Sequence, residues 1–214
     1  MRFLKYFFCF MLMLIINSPT YAVDWALADE NLKTCVLQLA QQKQWSTVAA
    51  VTEIECHSKN IRTLSGIETF TQLKKLSLYN NEISEGKLPN LPNLQHLNLA
   101  KNNMSDFNIN NFPALENIYV FGNKLKRLQL SALPKLKQLK ANDNMIIEFH
   151  YRELPTLEKI YLFNNKMVDM DIYHLPLAHY IDVRQNPMPD KLYEEMDKLK
   201  GITFLHDGNA KDWQ

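Results

Sequence analysis

The feature that most constrains this chain is an apolar pattern that returns at a nearly constant step. Leu73, Leu76, Leu78, Asn81 and Ile83 have the spacing LxxLxLxxNxL. The same spacing returns at Leu94, Leu97, Leu99, Asn102 and Met104, and at Leu115, Ile118, Val120, Asn123 and Leu125. It continues through Leu136, Leu139, Ala141, Asn144 and Ile146, then Leu157, Ile160, Leu162, Asn165 and Met167, then Ala178, Ile181, Val183, Asn186 and Met188. After a first step of 22 residues, every step is 21. A unit this short cannot bury its apolar side alone, so successive units must stack and share one continuous core.

This spacing resembles the leucine-rich repeat, and it implies a leucine-rich repeat solenoid. The expected form is a curved right-handed stack with a parallel β-sheet on its concave wall. Degenerate copies flank the six clear ones. Val51, Ile54, Cys56 and Ile61 lie upstream with Lys59 in the asparagine slot, and Leu199, Ile202 and Phe204 lie downstream with Asp207 in it. The count is therefore about eight turns of 21–22 residues, with the outer two modified as end units are. Slots four and six alternate across a short strand and point inward with slots one and eleven. Phe107–Ile109, Leu128–Leu130, Phe149–Tyr151 and Met170–Ile172 alternate with period two, which predicts a short extended segment on the convex side. Prolines 92, 113, 134, 155 and 176 then turn the chain back, because proline fixes φ and lacks an N–H. The column Asn81, Asn102, Asn123, Asn144, Asn165 and Asn186 reads as structural. Each can satisfy turn backbone groups with both donors and an acceptor.

The ends divide the chain into residues 1–22, 23–50, 51–188 and 189–214. Arg2 and Lys5, the apolar run Phe7–Ile16, the break Asn17-Ser18-Pro19 and the small residues of Thr20-Tyr21-Ala22 have the anatomy of a secretory signal peptide. The run is shorter than the ~20 residues a membrane span needs. Residues 23–50 are expected to form a helical cap, with Asp29 as N-cap and Leu32, Cys35, Val36 and Leu39 on one stripe. Cys35 on that stripe and Cys56 in an inward slot beneath it are placed to form a disulfide, as an even pair in an exported chain would. Residues 189–214 are expected to form the other cap with the degenerate last repeat. There Asp190 would cap a helix burying Leu192, Tyr193, Met196 and Leu199, with Trp213 packed on the last turn.

The segments Asn31–Val36, Trp45, Val51–Cys56 and Ile61–Ile67 resemble the start of secreted bacterial leucine-rich repeat proteins, of which internalins share the architecture. The resemblance implies binding of a protein through the concave face, without naming the partner. It departs from surface-anchored internalins in lacking a C-terminal sorting motif, which implies a secreted or periplasmic protein.

Slots three, five and seven face the concave wall. They place Tyr79, His96, Tyr119, Phe121, Lys140, Asn142, Tyr161, Phe163, Tyr180 and Arg184 there. Tyr119 and Phe121 share one strand, Tyr161 and Phe163 another, with Lys140 and Asn142 between. Contiguous exposed aromatics indicate an interface, since Tyr and Phe concentrate at interface cores. The occupant expected is a protein or extended peptide; a glycan stacked on Tyr119 and Tyr161 is the alternative. No cofactor, no metal and no catalytic residues are expected, and a monomer is. His57 with Glu53 and Glu55 is the one tight polar cluster, and it reads as an exposed charged edge. Removing Arg2 and Lys5 with the signal leaves 22 basic residues against 23 acidic, a net charge of −1, which gives no basic stripe for nucleic acid.

Overall fold

The computed structural model describes residues 25–209. The expected signal peptide and the packing of Trp213 lie outside them.

The chain opens with helix α1 (Glu30–Lys43), followed by strands β1 (Glu53–Glu55), β2 (Lys75–Ser77), β3 (His96–Asn98), β4 (Asp106–Asn110), β5 (Asn117–Tyr119) and β6 (Arg127–Ser131). It continues through β7 (Gln138–Lys140), β8 (Glu148–Arg152), β9 (Lys159–Tyr161), β10 (Tyr180–Asp182), helix α2 (Asp190–Lys198) and β11 (Thr203–Leu205). Eight strands pair in parallel in the order β1-β2-β3-β5-β7-β9-β10-β11 and form the front wall. The other three, β4-β6-β8, form a second parallel sheet on the opposite wall.

The front register stacks like on like. Ile54, Leu76, Leu97, Ile118, Leu139, Ile160, Ile181 and Phe204 are successive Cα partners, and every one is buried. Each such side chain is worth roughly 1.5–3 kcal/mol removed from water. The residues on either side of it point away from the core, because successive side chains of a strand alternate.

The asparagine column holds the turns together. Oδ1 of Asn102 accepts from Ile83 N of the preceding turn at 3.0 Å, while its Nδ2 donates to Leu78 O and Leu99 O at 3.0 Å. Asn123, Asn144, Asn165 and Asn186 repeat this arrangement on Met104, Leu125, Ile146 and Met167. Asn81 bonds to Lys59 N and Ile61 N in the first turn. One side chain thus closes its own turn and the one before it. The residue preceding each asparagine is left-handed, as at Asn80, Lys101, Gly122, Asp143, Asn164 and Gln185. This conformation is easy for Gly, Asn and Asp and costs more for Lys101 and Gln185.

On the opposite wall, three of the four expected extended segments are strands and the fourth, 170–172, is not. Its aspartates explain the difference. Asp169 Oδ1 accepts from Met170 N, and Asp171 Oδ1 accepts from Tyr173 N at 2.9 Å, so local side-chain bonds replace a sheet ladder.

The two ends close differently. Asp29 caps α1, with Oδ1 accepting from Asn31 N and Leu32 N, and its Oδ2 accepts from Arg62 N and Thr63 N of the first turn. Trp25 is buried against Phe70, with ring centroids 5.5 Å apart. Gly66, at φ +96°, lies against the backbone of Ala26, where no side chain fits. Cys35 and Cys56 form a disulfide. At the other end the N-cap of α2 is Pro189 with no side-chain cap bond, and Asp190 lies inside the first turn, so the expected Asp190 cap does not form. Tyr193 and Met196 are buried. The last turn also departs from the expected register. Ile181 pairs with Phe204, a step of 23 residues, so Ile202 is not its partner, while Asp207 still reaches the preceding turn, its Oδ1 accepting from Gln185 N at 2.8 Å. The nine residues of α2 lengthen the return path.

Candidate partner-binding face

Centrally on the front wall, Lys140 of β7 lies between tyrosines from the strands on each side. Its Nζ is 5.2 Å from the ring centroid of Tyr119 and 5.3 Å from that of Tyr161. This arrangement follows from the register, which places Tyr119, Lys140 and Tyr161 level on β5, β7 and β9. The rings stabilise the ammonium through their negative faces. Tyr161 is 5.3 Å from Tyr180, continuing the row across β10. The Tyr119 hydroxyl donates to Gln138 Oε1 at 2.7 Å. Burial, and then the neighbouring Tyr161, raise the Tyr119 phenol above its ordinary value. All three tyrosines are half-buried, as are Phe121 and Phe163.

A second aromatic group occupies the turn edge of the same wall. Tyr79 is 6.4 Å from Phe121 and 6.1 Å from His57. Lys101 lies over the Tyr79 ring at 5.4 Å, and its ammonium is held protonated above the ordinary lysine value by the Tyr79 hydroxyl. Lys101 was not among the residues anticipated for this face. It occupies slot eight, where the left-handed turn aims a side chain back over the wall, and a Lys in a slot otherwise favouring Gly, Asn or Asp was the available signal.

Other anticipated residues are engaged elsewhere. Asn142 is only 9% exposed and donates to Asp143. The Arg184 guanidinium is closed on Asp182, with Nε–Oδ1 at 2.9 Å and Nη2–Oδ2 at 2.6 Å, so it offers little free charge. That bond raises Arg184 above its ordinary value. His96 Nδ1 accepts from Asn117 Nδ2 at 2.8 Å. The Glu53, Glu55 and His57 cluster is dispersed: Glu53 pairs with Lys43, Glu55 with Lys75, and His57 with Ser77 Oγ. The Lys75 bond draws the Glu55 carboxyl below its ordinary value. Among the described residues, no group of three His, Cys, Asp or Glu is placed to hold a metal.

The Leucine Rich Repeat family model matches residues 72–94 and 93–115, the turns around β2 to β5. The solved structure of internalin C2 from Listeria monocytogenes superposes with a TM-score of 0.55 at 16% identity, over 84% of this chain and 94% of that one. The chain has the leucine-rich repeat fold, internalin-like in architecture. Two other leucine-rich repeat neighbours are more distant. The functional domain of InlJ from Listeria monocytogenes, which includes a cysteine ladder, has a TM-score of 0.36 at 19% identity, over 67% of this chain and 46% of that one. A leucine-rich repeat protein of Leptospira interrogans has a TM-score of 0.42 at 19% identity, over 71% and 54%. This chain therefore spans about half the length of the InlJ domain. No curated protein matches it. Leucine-rich repeat solenoids commonly serve as protein-interaction scaffolds. Among the described residues no helix is long and apolar enough to cross a membrane.

Proposed function

We propose that the chain is an exported, non-catalytic binding module that holds a protein partner against the front wall of the repeat solenoid. The observation that carries this reading is Lys140. Its ammonium is seated on Tyr119 and Tyr161 and makes no ion pair among the described residues. It stands within a continuous row of half-exposed aromatic rings. A core of rings around an unneutralised cation is an economical hot spot, because the rings bring contact area with few rotors to freeze. The same geometry favours a protein over a glycan, since Lys140 covers ring faces on which a sugar would stack. Export is supported by the Cys35–Cys56 disulfide, a bond that persists in oxidising compartments, and by the basic-then-apolar N-terminal segment.

The test is a pull-down from envelope extract and from host-cell lysate. It compares the purified chain with a variant carrying Tyr119→Ala, Phe121→Ala, Tyr161→Ala and Phe163→Ala, circular dichroism confirming that both fold. A protein retained by the first and lost by the second is the expected result. Equal retention by both refutes the front wall as the binding surface.

A further inference from the structure

We infer that the hollow between β2, β3 and β5 is an anchor site for one carboxylate side chain, an Asp or Glu, of the partner; the inference rests on the binding reading above. The hollow has a volume of about 160 Å³, enough for a single side chain, and its lining includes Ser77, Asn98, Lys75, His96, Asn117 and Tyr119. It exists because β2 and β3 carry the small residues Ser77 and Asn98 level with Tyr119 on β5.

Its chemistry is set by which atoms are already used. Asn98 Oδ1 accepts from Ala100 N at 3.1 Å, which leaves the Nδ2 donors of Asn98 over. His96 Nδ1 accepts from the Asn117 amide, so the ring proton is on Nε2 and is free to donate. Lys75 on the rim is paired with Glu55, whereas Lys140, beyond Tyr119, makes no ion pair among the described residues. Of the acids around it, Glu55 is bonded to Lys75 and Glu116 to Lys137, and the acid of the far strand, Asp182, is closed by Arg184. Asn98 and His96 thus bring unused donors to the lining of the hollow, while Glu55 and Asp182 are each paired with a cation of this wall. Unused donors with the unpaired ammonium of Lys140 beyond Tyr119 complement an anionic acceptor and disfavour a cationic side chain.

The experiment follows ¹⁵N–¹H signals of the purified chain during titration with N-acetyl-glutamate methylamide, with N-acetyl-glutamine methylamide as the matched neutral control. Saturable shifts of the Asn98 and Asn117 side-chain amides and the His96 ring, seen with the glutamate compound and absent with the glutamine one, are expected. Asn98→Asp keeps the acceptor for Ala100 N, so the fold is retained, but it replaces donors by charge. It should weaken the glutamate compound at least about tenfold, the loss expected for a hydrogen bond to a charged group. Equal shifts with both compounds, no selective shift, or unchanged binding by Asn98→Asp overturns the assignment. The same variant separates the two proposals in the pull-down. A partner lost by the four-alanine variant yet fully retained by Asn98→Asp leaves the binding wall standing and removes the anchor. Selective glutamate binding with no partner retained by the native chain leaves the anchor standing and removes the protein-binding reading.

Discussion

At the N-terminal end, Trp25, α1 and the Cys35–Cys56 disulfide lie across the first turn, and Asp29 bonds to both the helix and that turn. At the C-terminal end, α2 begins at an uncapped Pro189, no cysteine is within reach because none follows Cys56, and the closing contacts are Tyr193, Met196 and His206. His206 is stacked on Tyr193 at 4.5 Å and its Nε2 is 3.1 Å from Asp197, but its Nδ1 is buried with no partner among the described residues. An unmet buried polar atom costs roughly 1–3 kcal/mol. The same core is thus closed at one end by a covalent bond and a cap shared between helix and turn, and at the other by packing alone, while each end carries one buried nitrogen with no partner among the described residues, Trp25 Nε1 and His206 Nδ1. In a solenoid each turn contacts only its neighbours, so this difference should appear as a gradient of local stability.

The largest test is to remove the covalent closure. Changing Cys35 and Cys56 to Ser should cost roughly 3 kcal/mol in chemical denaturation, since the bond closes a 21-residue separation. It should also abolish the gradient in amide exchange. A cost well below 1 kcal/mol would show that the N-terminal end is held by packing, as the other end is.

Next comes the middle, which belongs to neither cap. Asn144→Ala removes an acceptor for Leu125 N and donors to Val120 O and Ala141 O. It should cost about 2 kcal/mol by leaving buried backbone groups unpaired, and exchange should rise in adjacent turns before it rises in either cap.

Asp29→Ala should cost about 1–2 kcal/mol, the usual loss for an N-cap. Burial pushes the Asp29 carboxyl up, but backbone bonds from Arg62, Leu32, Thr63 and Asn31 outweigh it and hold the group below its ordinary 3.8. Because the folded-state value is the lower one, the contribution is complete above 3.8 and disappears as pH falls through the depressed value. The variant and the native chain should therefore converge in stability at strongly acid pH, as measured by denaturant midpoints.

The smallest effect is expected at the other helix. Pro189→Ser supplies the missing cap to α2, worth about 1 kcal/mol. Part of that is offset by the greater freedom of the unfolded chain once proline is gone. A stabilisation below about 1 kcal/mol, with slower exchange confined to α2, would narrow the difference between the ends.

Much of the fold is legible before any coordinates because its unit is short and its period constant. Slots four and six could be assigned inward, and the eight front strands counted, from spacing alone. The Asp29 cap and the cysteine pair follow from helical periodicity combined with that frame. Three features were not legible. The segment 170–172 has the right alternation, but Asp169 takes the backbone N–H of Met170 and Asp171 that of Tyr173 just beyond it. The last turn is longer than its pattern implies because α2 inserts residues between Ile181 and its true partner Phe204. Arg184 and Asn142 occupy outward slots, yet Asp182 and Asp143 engage them, and such pairing depends on side-chain reach.

The sequence by itself determined the repeat, the direction of each strand residue and the identity of the structural asparagines, because these follow from a step that stacks equal slots on equal slots. The tertiary structure alone decided which outward residues remain available to a partner. Lys140 between two tyrosines and the hollow beside Tyr119 arise from the register of β2, β3, β5, β7 and β9 across separate turns. Which charge is neutralised depends on distances of a few ångströms, whether between turns, as for Lys75 and Glu55, or within one turn, as for Arg184 and Asp182, and the repeat spacing carries no information about those distances.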